Sequence, residues 1–224
     1  MVENPLFPFS AANPYSLGRV FVPDVRDRDH LMSSALAQDT STKSMPTQRL
    51  WKTGPVLDQG KTSKCVAYSW KQWLMSYPIP DAPDADPMMD AIYSRAQELD
   101  DFPGNSYDGT TVRAGAKVMS ELHRLAEYVW SVRAEEVAEF VLSKGPVVFG
   151  TNWYRSMFSF DKKTHSVKIV PKSPLAGGHA YLCIGYSQPR GLFRFINSWG
   201  TSWGDKGRFW ISGEDVSRLL SEDG

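Results

Sequence analysis

Near Leu125 the chain changes its hydrophobic period. Before that point breaker-poor stretches repeat their apolar residues at helical spacing, and after it short alternating or wholly apolar runs follow one another between Gly, Pro and Ser. CVAYSWKQWLMSY (Cys65 to Tyr77) is expected to be a helix that starts at the cysteine and stops before Pro78. A second is expected from an Asp86 cap with Pro87 at its first position through MMDAIYSRAQELDD, and a third over about Thr111 to Arg124. One more helix, with a Val137, Phe140, Val141 face, is closed by Gly145 and Pro146. Five strands are expected thereafter: PVVFG at Pro146, SVKIV at Ser166, HAYLCIGY at His179, LFRFIN at Leu192 and GRFWIS at Gly207. A chain ordered in this way folds as α+β, helices first and antiparallel sheet second. The predicted organisation is an extension and linker over residues 1–50, a helical lobe over 51–124 and a β lobe over 125–224.

The extension is set apart by Pro5, Pro8, Pro14 and Pro23 and by the polar run DTSTKSMPTQ. Its charged knot PDVRDRD reads as a solvated turn, with docking of the extension onto the body as the sharper alternative. The 224 residues carry 25 Lys+Arg against 25 Asp+Glu, so the chain has no net field to hold nucleic acid or an anionic membrane. Eight Trp, nine Tyr and eleven Phe supply a large core. Two cysteines do not make a disulfide framework, which suits a reducing compartment such as the cytoplasm. No apolar run reaches the roughly 18 residues of a membrane helix, and no secretory leader is evident.

Cys65, placed at a helix start, has its thiolate favoured by unpaired N–H groups and the helix dipole. Six positions earlier stands Gln59 in PVLDQG, a neutral donor able to face an oxyanion beside the Cys65 N–H. Downstream by 114 residues, GGHAYLCIGY puts His179 after two small residues at a strand start, open to act as a general base. Asn197, 18 positions further, ends LFRFIN and can accept from the imidazole, with Trp199 and Trp203 shielding that bond from water. Cys183 lies on an apolar strand and reads as core. His30, His123 and His165 read as ordinary surface or core residues. No zinc-ligand spacing or phosphate-binding loop is present, so neither metal nor cofactor is implied.

QGKTSKCVAYS, GGHAYLCIGY and FRFINSWGTSWGDKGRFWIS closely resemble the three active-site blocks of papain-like cysteine peptidases. The similarity runs roughly from Gly54 to Leu220 and includes GPVVFGTNWYRSMF. It implies a two-lobe fold with a helical lobe, a β-barrel-like lobe and a cleft between them. It also implies peptide hydrolysis through a Cys65 thioester, with Gln59 in the oxyanion hole, His179 as base and acid, and Asn197 as orienter. By the same resemblance Asp108, Gly109 and Thr110 receive substrate backbone, Gly150, Ala176 and Gly178 wall the main specificity pocket, and Trp199 borders the site. The small residues there suggest room for an apolar side chain.

Three departures stand out. The nucleophile's neighbours are Thr62-Ser63-Lys64-Cys65-Val66, so the half-cystine that usually staples this loop is replaced by Thr62. The Cys-to-His interval is short for the family. Lys64 either adds positive potential at the thiol or points away into solvent. PDVRDRD, a linker and PVLDQG resemble bacterial and viral members made without the long inhibitory propeptide, for which a cytoplasmic or virion location fits. The expected activity is that of a cysteine endopeptidase acting on a peptide or protein. The alternatives are a silent binding or assembly protein on the same fold and an amide hydrolase or transferase. The extension would occupy or flank the cleft, or dock to a partner.

Overall fold

The computed structural model describes residues 15–37, 44–78, 88–101 and 107–224. Helix α1 (Met32–Ala37) and strand β1 (Gln48–Leu50) come first, followed by α2 (Cys65–Leu74), α3 (Met89–Leu99), α4 (Val112–Glu121) and α5 (Ala134–Ser143). Strands β2 (Val147–Tyr154), β3 (Leu175–Ser187), β4 (Leu192–Ile196) and β5 (Arg208–Ser212) then lead into α6 (Gly213–Asp223).

α2 is buried on nearly every side, Cys65, Val66, Ala67, Trp70 and Leu74 among its hidden residues. It packs with Ile92 and Ala96 of α3 and Val112, Ala116 and Met119 of α4 to form the helical core. The Thr111 hydroxyl caps α4 by accepting from the Ala114 N–H at 3.0 Å, as a Thr before a helix does. α3 begins at Met89; the cap expected at Asp86 lies outside the described residues.

All strand pairings are antiparallel, in the order β1-β3-β4-β5, with β2 also paired to β3. β3 is long enough to serve three partners: β2 along residues 175–183, β4 along 182–187 and β1 at 185–187. Among the strands of the described residues β5 pairs with β4 alone, so the sheet stays open and the expected barrel does not close. Its inner face carries Phe149, Trp153, Tyr181, Phe193, Phe195, Phe209 and Ile211, covered by α5 and by Val216, Leu219 and Leu220 of α6.

Three local readings are corrected. The helix expected to reach Tyr77 ends at Leu74, with Met75 and Ser76 bonding back to Lys71 and Trp73. The SVKIV run is no strand beyond one bridge from Ser166 to Trp210. Val167 and Ile169 are buried as its alternation predicts, but Ile169 N donates to Asp215 and Val170 N to Ser156 Oγ, so side chains replace a ladder. The charged knot is docked, not solvated. Asp24 and Asp27 pair with Arg113 of α4, whose side chain is 8% exposed.

Candidate active site

Register places the histidine. His179 pairs with Thr151 on β2, and three residues on, Leu182 pairs with Ile196, which precedes Asn197. The two side chains meet: His179 Nε2 lies 2.8 Å from Asn197 Oδ1, which also accepts from the Ser198 N–H at 2.8 Å. The Trp199 ring stacks on the imidazole at 4.7 Å, Trp153 stands edge-on to it at 5.0 Å, and Trp203 stands edge-on to Trp199 at 5.0 Å. His179 and Asn197 are fully buried. His179 Nδ1, the other ring nitrogen, has no partner among the described residues.

Cys65 opens α2, and its Sγ accepts from the N–H of Ala180, the residue after His179, at 3.4 Å. The helical and sheet sides are thus joined at the thiol. A second seam fixes Gln59: its N–H donates to Ser198 O at 2.8 Å, Gly200 N–H donates to Leu57 O at 3.1 Å, and Asp58 bridges Trp199. Gln59 Oε1 accepts from Ser198 Oγ at 2.5 Å, which turns its Nε2 toward the carbonyls of Thr62 at 2.7 Å and Ser16 at 3.2 Å. Gly207 lets this seam close. Its φ is +83°, and a Cβ there would stand 2.4 Å from Val56 Cγ1.

Residues 15–20 of the extension run along these groups. Ser16 O accepts from both Gln59 Nε2 and Trp199 Nε1, each at 3.2 Å, and Tyr15 stacks on Trp199 at 4.7 Å. The Gly18 and Arg19 N–H groups donate to Gly178 O, while Thr110 donates to Gly18 O at 3.0 Å and accepts from Val20 N–H at 2.9 Å. Gly109, at φ +99°, has no room for a side chain: a Cβ would lie 2.3 Å from Gly18 O. Asp108 is exposed at the rim and Ala176 is partly buried on β3. Gly150 and Gly178 flank the Arg19 side chain. The pocket expected to suit an apolar group therefore faces a guanidinium stem.

Burial sets the protonation of the pair. The Cys65 thiol is pushed up to about 12 by desolvation, against smaller opposite effects of the Ala180 and Val66 N–H groups and the Arg19 charge. His179 is pushed down to about 4 by desolvation, which the Asn197 bond only partly offsets. Both shifts favour the neutral forms, and for Cys65 burial outweighs the helix-start stabilisation expected of the thiolate. Lys64 adds little, since its ammonium is paired with Asp90 at 2.7 Å. Cys183 is a buried core thiol donating to Gly185 O.

A protein-family model described as papain family cysteine protease matches residues 90–219, more than half of the chain. The chain belongs to the papain family of cysteine proteases. The matched span holds His179 and Asn197 and begins after Gln59 and Cys65. An uncharacterized peptidase C1-like protein of Acanthamoeba polyphaga mimivirus is 35% identical over 79 residues, which is 34% of this chain and 25% of that protein. Pro-cathepsin H of Mus musculus is 34% identical over 77 residues, 34% of this chain and 23% of the relative. These matches thus span about a quarter of the curated relatives' length. Among solved structures, xylellain, a cysteine protease from Xylella fastidiosa, superposes with a TM-score of 0.65 at 20% identity, covering 93% of this chain and 94% of that one. Bromelain from Ananas comosus gives 0.52 at 14% identity over 75% and 89% of the two chains. At such identities the structures establish that this papain-family chain shares the fold.

The roles of several contributors had no local sequence signal, although three of the four stand in the blocks quoted above: the Ala180 N–H at the thiol, Ser198 orienting Gln59, Trp153 against the imidazole, and Arg19. Each becomes a neighbour only through strand register or a return of the chain from far away.

Proposed function

We propose that this papain-family chain is a cysteine endopeptidase that cuts peptide bonds through a thioester on Cys65, and that residues 15–20 hold its cleft closed. The observation that carries the reading is the fully buried His179–Asn197 bond at 2.8 Å, which leaves Nδ1 as the ring nitrogen available to the thiol. Nδ1 takes the thiol proton, and the thiolate attacks the peptide carbonyl, forming the C–S bond. The oxyanion accepts from Gln59 Nε2 and the Cys65 N–H, the role that Ser16 O anticipates by accepting from the same Gln59 nitrogen. As the C–N bond breaks, the imidazolium gives its proton to the leaving amine. Water then loses a proton to His179 and attacks the thioester, releasing the acid and restoring the thiol. Asn197 holds the ring for both transfers.

Neutral thiol and imidazole fit a resting form. Departure of residues 15–20 would readmit water and remove the desolvation that disfavours the ion pair. Peptides or proteins are the substrates of this reading, and two free thiols fit a reducing compartment, cytoplasmic or within a virion. The test is labelling of the full chain by an epoxysuccinyl peptide, with mass mapping of the adduct. Labelling at Cys65, absent from Cys65→Ala and slowed in His179→Ala, is the expected result. Failure of Cys65 to label at any pH, in the parent chain and in one whose extension contacts are weakened, would remove the activity and favour a silent binding protein.

A further inference from the structure

The side chain of Arg19 enters a slot that only two glycines leave open. A Cβ on Gly150 would lie 3.1 Å from Arg19 Nε and 3.3 Å from its Cγ, and one on Gly178 would lie 3.1 Å from its Cδ. Val112 closes the same wall, 2.4 Å from where a Gly150 Cβ would stand. At the far end Nη2 donates to the backbone carbonyl of Asp223, in the last turn of α6. That carbonyl is among the last four of a helix, which lack partners along it, and the negative end of the helix dipole favours a cation there. The charges agree. Glu222 and Asp223 both face Asn152 of β2, at 3.5 and 3.2 Å, and Arg218 balances Glu222 at 3.0 Å. Arg19 as a whole is 5% exposed; burial holds its guanidinium below its ordinary range, and the Asp223 charge is the largest of those that offset this.

The backbone around this side chain is held as a bound peptide would be, Arg19 N–H on Gly178 O and its neighbours on Thr110. We propose that the slot between Gly150 and Gly178 is a specificity pocket for a basic side chain, arginine above all, and that the end of α6, through the Asp223 carbonyl that takes the guanidinium and the Asp223 charge beside it, sets this preference. The substrates would then be peptides with an arginine near the cut bond, and Arg19 stands where the substrate's arginine goes. This rests on the peptidase reading for its biological meaning, but the pocket's selectivity can be measured without turnover.

The experiment takes the full chain with Cys65→Ala, so that nothing is cut, and Arg19→Ala, so that the slot is vacated. Alanine-based hexapeptides carrying a single Arg, Lys or Leu are titrated by calorimetry. The Arg peptide is expected to bind at least tenfold tighter than the Leu peptide. Adding Asp223→Lys is expected to abolish that preference, and adding the milder Asp223→Asn to reduce it at least threefold; a melting curve confirms that each variant is folded. Equal or tighter binding of the Leu peptide, no binding of either, or a preference indifferent to both substitutions overturns the proposal. Turnover is read separately on the parent chain and on Arg19→Ala, using fluorogenic Arg and Leu peptides. Selective binding of Arg with no turnover in any form would leave the pocket standing and overturn the peptidase reading. Turnover that favours Leu would do the opposite.

Discussion

At Gln59 one amide joins both sides of the cleft: Ser198 Oγ holds its oxygen, and its nitrogen is aimed at Ser16 O. Loss of an oxyanion donor elsewhere costs about 10²–10³ in kcat. Gln59→Ala is therefore expected to lower kcat by that amount on a small fluorogenic peptide while Cys65 still labels. Steady-state kinetics beside probe labelling separates this from a collapsed site, in which both would be lost. Gln59, Cys65, His179 and Asn197 could be picked out of the sequence as candidates because each stands in a short distinctive block, and the structure brings them to one site. Arg19 and Asp223 were not, since they lie 204 positions apart and neither has a local pattern. The apolar preference inferred from Gly150, Ala176 and Gly178 followed from their small size, and size alone does not say whether the side chain that enters the slot is charged, as that of Arg19 is.

Among the elements, the extension is tied to the body by more than its path along residues 109–110 and 178. Asp24 and Asp27 meet Arg113 of α4, His30 and Met32 bond to Trp130, and β1 adds to the edge of β3. The side chains of Arg113 and Asp24 are each only 8% exposed, so Arg113→Ala removes one partner of a buried ion pair and is expected to cost about 3 kcal/mol. Chemical denaturation measures that loss. Under the proposed closed form, the same variant is expected to label at Cys65 at least fivefold faster than the parent chain. A stability loss with an unchanged labelling rate would mean that residues 15–20 hold their place without the knot. The docking was hard to read from sequence because a charged run has the same composition whether it faces water or a buried arginine. α6 was missed although Ser212 caps it, accepting from the Asp215 N–H at 3.1 Å, and Val216, Leu219 and Leu220 repeat at helical spacing.

For the whole molecule, acid is expected to weaken this fold through His179. Its imidazole is held from an ordinary 6.5 down to about 4 by burial, so between those values the unfolded chain takes a proton that the folded one refuses. Stability is thus full above about pH 6.5 and falls as pH drops to about 4, by about 3 kcal/mol from this group alone. Denaturation midpoints across that range should show the loss, and His179→Gln should flatten it. A parent chain with level stability from pH 7 to 4 would count against a neutral, fully buried imidazole. By itself the sequence determined the helix-then-sheet order, most element positions and the four catalytic candidates, because period, capping and short motifs are local properties of the chain. Only the tertiary structure decided that the sheet stays open, that the thiol and imidazole are desolvated, and that Arg19 lies against Gly178 and the end of α6. Those depend on which distant segments exclude water from one another, and burial is a property of the assembled chain that no single stretch carries.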